Sequence, residues 1–225
     1  MINYFSTVID LLRDRQQFLQ DIHLNVKLQS KILSLLISSF CFFAIYGTII
    51  GASHSTWQML SSAIKLPTLY LITLLICLPT LYIFNVLFGS KTSLAQHFTY
   101  LLTAISVIAL LLCGFAPITL FFLITVNDYN FFLLVNVVIF AITGILGVSF
   151  LYQVMKPIGD KHTEQGINVR TNILRFWLVL YGFVGSQLGW TLRPFFGTSG
   201  QFELFRPREG SFFTAVWNSL INLLF

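Results

Sequence analysis

Residues 100–126 read YLLTAISVIALLLCGFAPITLFFLITV, and this stretch contains no acidic or basic side chain. About 20 apolar residues are enough for a helix to cross the hydrocarbon core of a bilayer, so the stretch can span it. In lipid every backbone N–H and C=O must be paired within the segment, which favours a helix. Pro117 interrupts the run, and we expect a single crossing that is kinked at this residue.

Four further apolar stretches predict additional membrane helices. The predicted spans cover about residues 32–52, 67–88, 100–126, 131–154 and 173–192. A last apolar stretch, residues 212–225, would cover only about 21 Å as a helix, so we expect it to be interfacial or half-spanning. The predicted fold class is all-α, a polytopic bundle of five transmembrane helices with a short C-terminal helix.

Composition supports a single membrane domain over residues 1–225. Hydrophobic residues make up 56% of the chain and charged residues 9%, whereas soluble domains contain roughly a quarter charged residues. The predicted spans, residues 32–192, leave no room for a separate soluble domain. The net charge of +5 comes from basic residues beside the apolar stretches, where they fix topology, so we expect a bilayer and no nucleic acid as partner.

The N-terminal segment, residues 1–30, is amphipathic with near-helical spacing. Its apolar positions are Phe5, Val8, Ile9, Leu12, Leu19, Ile22 and Val26. A helix lying in the membrane interface is the simplest interpretation, and a helix that docks on a partner is the alternative. Polar residues come before any long apolar run, so we expect no cleavable secretory signal.

The distribution of Lys and Arg predicts a cytoplasmic N-terminus and places residues 193–225 on the opposite side. With five crossings, the cytoplasmic segments contain Arg13, Arg15, Lys27, Lys31, Lys91, Lys156, Lys161, Arg170 and Arg175. The opposite side contains Lys65, Arg193, Arg206 and Arg208.

Two kinds of residue inside the predicted spans are candidates for packing or function. Small residues four apart, Gly47 with Gly51 and Gly185 with Gly189, permit close helix approach, either within the bundle or against another protein. The amides of Asn85, Asn136 and Gln187 lie at membrane depth. We expect these amides to form interhelical hydrogen bonds, and the alternative is a path for a small neutral solute.

The sequence offers no catalytic, metal or cofactor motif. The four histidines are isolated, and the three cysteines lie in apolar stretches without a CxxC pair. We therefore expect no enzyme activity, no metal and no cofactor. Pigment ligation by a histidine at a span end, such as His54 or His97, remains a minor alternative.

The stretch from residue 185 to residue 210 is the most distinctive part of the chain. A helix rich in small residues ends in Trp190 and Arg193, an anchor pair suited to the headgroup level, and aromatic residues then alternate with charges. We expect this region to fold onto a partner or onto the bundle, and a membrane-surface loop is the alternative. The candidate interaction residues are Gly185, Gln187, Gly189, Trp190, Arg193, Glu203, Arg206, Arg208 and Glu209.

The same region carries a resemblance that extends from about Leu11 to Phe213. The runs IYGTIIGASHS (45–55), KLPTLYLITLLICLPTLYIFNVLFGS (65–90), GSQLGWTLRPFFG (185–197) and FELFRPREGSFF (202–213) resemble a family of small, functionally uncharacterised bacterial membrane proteins that is frequent in cyanobacteria. Some members bear an automatic actin-binding label, which a polytopic bacterial protein gives no physical reason to accept. The resemblance implies five or six helices and a bacterial inner or thylakoid membrane, and it brings no catalytic residues. The architecture is also similar to the five-span Yip family, by analogy only.

These observations leave three hypotheses for function. The first is a non-enzymatic subunit or assembly factor that binds other membrane proteins or itself. The second is a channel or facilitator for a small neutral solute, passing along Asn85, Asn136 and Gln187. The third is a membrane enzyme that acts on lipid, using Glu203 or Glu209 with a histidine.

Overall fold

The computed structural model describes residues 5–53, 55–87, 92–126, 128–155 and 164–195, together with Thr214, Trp217 and Ile221. All regular structure within these residues is helical. The helices are α1 (Ser6–Arg13), α2 (Arg15–His23), α3 (Leu28–Gly51), α4 (Thr56–Leu87), α5 (Leu94–Thr125), α6 (Tyr129–Met155) and α7 (Glu164–Leu192).

Four helices in the described part of the chain, α3 to α6, are long and apolar enough to cross a membrane. This confirms the prediction of a helical membrane protein. The helix α7 has 29 residues, which is sufficient length, but it carries Arg175 and Gln187 among its apolar residues. It is not among the four, so the predicted number of five spans is not established.

The long apolar stretch that begins at Tyr100 forms a single helix. Pro117 lies inside α5, which begins at Leu94, earlier than predicted. The earlier start has a local cause: Ser93 Oγ accepts a hydrogen bond from the Gln96 backbone N–H at 3.2 Å, and Gln96 Oε1 accepts one from the Ser93 N–H at 2.8 Å. This reciprocal capping box satisfies backbone donors that a helix leaves unpaired at its start.

The central helix of the bundle is α3, which packs against α4 on one side and α5 on the other. The helix α6 adds to α5, and α7 adds to α4. Leu35, Phe43 and Ile50 of α3 are fully buried, and the Phe43 ring stacks on the Tyr70 ring of α4 at 4.3 Å between centroids. The described core is therefore built around α3.

The N-terminal segment forms two helices rather than one. Asp14 leaves the helical conformation between them, and its carboxylate accepts a hydrogen bond from the Gln17 backbone N–H, which caps α2. The apolar face packs on the chain's own bundle: Val8 of α1 and Phe18 of α2 are buried. The Phe5 ring lies 5.8 Å from the ring of Phe42, near the middle of α3.

Polar contacts fasten α2 to the same end of three other helices. Gln96 Nε2 of α5 donates to the backbone oxygen of His23 at 2.8 Å, and Arg15 donates to Gln153 Oε1 of α6 at 3.1 Å. Lys31 of α3 forms an ion pair with Asp21 at 2.8 Å. The hydrogen bond from Lys31 holds the pKa of the Asp21 carboxyl below its ordinary value. The polar face of the N-terminal segment thus binds α2 to the ends of α3, α5 and α6.

Candidate functional site

Gly47 and Gly51 lie where α3 and α4 approach most closely. A methyl group added to Gly51 would lie 2.6 Å from the backbone oxygen of Gln58 and 2.8 Å from Met59 Cα. One added to Gly47 would collide with the backbone of Ser62. Since backbone cannot move aside as a side-chain tip can, both positions require glycine for this packing. This glycine pair thus mediates packing within the chain, between α3 and α4.

The face of α4 beside these glycines carries a buried polar group, which we call the 58–65 cluster. Its members are Gln58, Ser61, Ser62 and Lys65. Gln58 Nε2 donates to the backbone oxygen of Pro194 at 2.7 Å, and Lys65 Nζ donates to the same oxygen at 3.4 Å. The 58–65 cluster therefore holds the segment that follows α7 against the start of α4.

The helix that contains Lys65 begins earlier than the predicted second span. From the sequence, we expected this span to begin at about residue 67, with Lys65 just before it on the side opposite the cytoplasm. In the structure α4 begins at Thr56 and contains Lys65, which is only 7% exposed. A proline usually marks a helix boundary in water, but Pro67 lies within α4, as proline can in membrane helices whose surroundings re-satisfy the backbone.

The other members of the 58–65 cluster were not among the residues predicted from the sequence. Just before Pro67, polar residues recur at helical spacing: Gln58, Ser61 or Ser62, and Lys65. This periodicity was the signal in the sequence that could have indicated a polar face on a helix. Ser62 Oγ donates to the backbone oxygen of Phe195 at 2.6 Å. Gln58 Oε1 and Ser61 Oγ are buried without a hydrogen-bond partner in the structure.

The structure describes only the first half of the predicted interaction region. The Arg193 guanidinium lies 3.5 Å from the centroid of the Trp190 ring. Methyl groups added to Gly185 and Gly189 would meet Thr73 and Leu69 of α4 at ordinary contact distances, 3.6 and 3.9 Å, so this glycine pair also faces the chain's own helix. Gln187 is partly exposed on α7. The charged residues Glu203, Arg206, Arg208 and Glu209 lie outside the described residues.

The three amides predicted at membrane depth lie on three helices and are not hydrogen-bonded to one another within the described structure. Asn136 joins α6 to α3, because Tyr46 donates to Asn136 Oδ1 at 2.7 Å. Thr119 of α5 donates to the Tyr46 hydroxyl at 3.2 Å, so this node connects three helices. Asn85 Nδ2 donates to the Leu81 backbone oxygen of its own helix at 3.0 Å.

We expect the Tyr46–Asn136 pair to contribute measurable coupling energy. Tyr46→Phe leaves Asn136 Oδ1 unpaired, and Asn136→Leu leaves the Tyr46 hydroxyl without its acceptor. Each change should lower the free energy of unfolding by about 1–2 kcal/mol, with a coupling of roughly 0.6 kcal/mol or more in the double variant. The free energy of unfolding is measured in mixed micelles for the wild type, the two single variants and the double variant. Ser186→Ala, which removes an exposed bond to its own helix, serves as control, and additive single effects would contradict the coupling.

Two cavities among the described residues do not pass these amides. A narrow void of about 20 Å³ lies among α5, α6 and α7, with Leu101, Ile105 and Trp177 in its lining. A wider groove of about 340 Å³ at the ends of α4 and α7 is lined by Phe84, Asn172, Ile173 and Phe176. Neither lining contains Asn85, Asn136 or Gln187.

The described histidine and cysteine side chains belong to no metal-binding group. His97 is buried at the start of α5, with Nδ1 3.1 Å from the Ser93 backbone oxygen and its ring edge-on to Tyr82. His54 lies outside the described residues. Among the residues that the structure describes, no group of three or more His, Cys, Asp or Glu side chains is placed to hold a metal ion.

Comparisons with protein-family models, with curated proteins and with solved structures find no match to this chain. The bacterial family suggested by the sequence therefore stays a prediction.

Proposed function

We propose that this chain is a non-enzymatic membrane subunit or assembly factor that binds other membrane proteins through the outward face of α7. The observation that carries the proposal is Gly182, which is exposed on α7 with no atom within 4 Å of where a side chain would begin. Within an exposed helix, glycine costs about 1 kcal/mol relative to alanine. No contact within the described chain offsets that cost. A helix of a partner that packs closely against Gly182 would offset it.

The residues around Gly182 have a shape suited to helix packing. Phe176, Val179 and Phe183 point outward with 56–72% of their surface exposed, and they follow one face of α7 at spacings of three and four. The opposite face carries Trp177 and Gly185, which pack on α4. Large side chains around a small notch allow a partner helix to interdigitate with α7.

The interior of the bundle supports this function over a channel. Most of the described buried hydroxyls and amides of α3, α5 and α6 bond to one another or to backbone within the bundle; for example, Ser39 and Ser106 pair at 2.7 Å. Ser34 Oγ, by contrast, has no partner in the structure. The void beside α5 is apolar and narrow. A bundle whose polar groups are used for its own cohesion is suited to a scaffold.

The proposed topology has five crossings, with α7 as the fifth and the N-terminus in the cytoplasm. Arg175 and Arg193 are 18 residues apart, or about 27 Å along a helix, close to the ~30 Å thickness of the hydrocarbon core. Basic residues at both ends of such a segment can reach the two headgroup layers. We assign the protein to a bacterial inner or thylakoid membrane on the sequence resemblance.

Purification of the tagged chain from its native membranes in mild detergent tests this function. We expect a reproducible, stoichiometric membrane partner that Gly182→Phe removes, because the new ring fills the notch. Gly114→Phe is the matched control, since Gly114 of α5 also faces open space, and it should retain the partner. A chain that runs as a lone monomer without a reproducible partner would contradict the proposal. A clean homo-oligomer lost in Gly182→Phe would identify self-association through α7.

A further inference from the structure

A cleft opens between α6 and α7, with α5 as its floor. Leu101, Ile105 and Ile108 of α5 form the floor, Leu151 of α6 forms one wall, and Leu178 of α7 forms the other. The enclosed part measures about 20 Å³. This volume holds about one water-sized group, so it excludes a transmembrane helix, whose diameter with side chains is about 10 Å, and a bound acyl chain would lie along the open side of the cleft.

Gly147 of α6 lies directly against Ile108 in the floor of this cleft. A methyl group at this position would collide with the side chain of Ile108 across the interface. Glycine therefore lets α6 lie close to α5 and leaves no side chain from residue 147 in the cleft. Gly144, one turn earlier on the same helix, faces open space.

Arg175 lies near one end of the cleft. Arg175 is three residues before Leu178 on α7, and its guanidinium carbon lies 6.0 Å from the centroid of the Tyr152 ring of α6. The side chain thus reaches from one wall to the other. No carboxylate of the described residues forms an ion pair with it, since the described ion pair joins Lys31 and Asp21.

We infer that the α6–α7 cleft binds one anionic phospholipid, with an acyl chain along the apolar floor and its phosphate at Arg175. The apolar lining matches the acyl chain, and the guanidinium supplies donors whose geometry suits phosphate oxygens. Arg175 lies about 27 Å from Arg193 along α7, at the level where the headgroups of the opposite leaflet begin. A basic group at the end of an apolar cleft between membrane helices is the arrangement that anionic headgroups bind.

Native mass spectrometry of the purified full chain, with phosphatidylglycerol or phosphatidylcholine added, tests this site. We expect one phosphatidylglycerol bound per chain, with about five-fold preference over phosphatidylcholine, the effect of one cation near the headgroup. Arg175→Gln should reduce the preference to about one. Arg13→Gln, which removes an exposed charge of α1, should leave the preference unchanged.

A second pair of variants tests the apolar part. Gly147→Leu pushes a side chain against Ile108 in the cleft floor and should lower the occupancy of both lipids, whereas Gly144→Leu should not. If Gly147→Leu fails to fold, Leu178→Phe narrows the cleft from the other wall. The inference is overturned if the wild-type chain shows no preference for phosphatidylglycerol, or if Arg175→Gln and Arg13→Gln reduce it equally. The partner proposed for Gly182 does not enter this measurement, so either proposal can fail alone.

Discussion

Gly51→Ala is expected to destabilise the protein by about 3 kcal/mol, a large effect for the addition of one methyl group. The added carbon would lie 2.6 Å from the Gln58 backbone oxygen and 2.8 Å from Met59 Cα, so α3 and α4 have to separate. Overpacking of a close interface typically costs 1–3 kcal/mol, and here the movement also disturbs the hydrogen bond from Gln58 to Pro194. Gly47→Ala should behave similarly, because its methyl group meets the backbone of Ser62.

Gly144→Ala and Gly114→Ala provide the matched controls for this substitution. Neither glycine has an atom within 4 Å of the added methyl group, so alanine should leave stability unchanged or raise it by up to about 1 kcal/mol through helix propensity. Unfolding of all four variants in mixed micelles gives the comparison. Equal effects at Gly51 and Gly144 would show that α3 and α4 are not in backbone contact at this place.

The sequence predicted the apolar helices well because lipid imposes a simple requirement on them. Residues 100–126 contain no charge, and a segment of this kind has to pair its backbone internally, so its helical state follows from composition. The predicted second span starts near Pro67, whereas the helix α4 already starts at Thr56. The helix continues to Thr56 because it packs against the glycine face of α3, and a neighbour of this kind is not visible in local composition.

The polar part of the site depends on contacts between residues far apart in sequence. Gln58 bonds to Pro194, 136 residues away, and no spacing rule within one segment connects them. The N-terminal segment shows the same limit: its amphipathic pattern was visible, but Val8 and Phe18 bury against the chain's own helices. Periodicity identifies an apolar face, and only the tertiary arrangement identifies what covers it.

The other large effect is expected at Trp177, which fixes α7 to the bundle. This side chain is 1% exposed, its Nε1 donates to the Cys77 backbone oxygen of α4 at 2.9 Å, and its ring lies 5.3 Å from that of Tyr181. In lipid, helices associate through close packing and hydrogen bonds. Trp177→Ala removes both and should cost about 3–5 kcal/mol. Phe176→Ala, at an outward side chain that is 67% exposed, should change stability little.

Labelling of Cys77 separates a loosened α7 from global unfolding. The thiol of Cys77 is buried beneath α7, whereas Cys41 and Cys113 are only partly buried. In Trp177→Ala, a membrane-permeant maleimide should label Cys77 faster, while labelling of Cys41 stays at the wild-type rate, because α3 does not depend on α7 for its packing. Trp177→Phe, which keeps most of the volume and removes only the donor, should cost about 1 kcal/mol. Unchanged labelling of Cys77 in Trp177→Ala would contradict this prediction. It would mean that contacts other than those of Trp177 hold α7, and with it the outward face proposed to bind a partner, against α4.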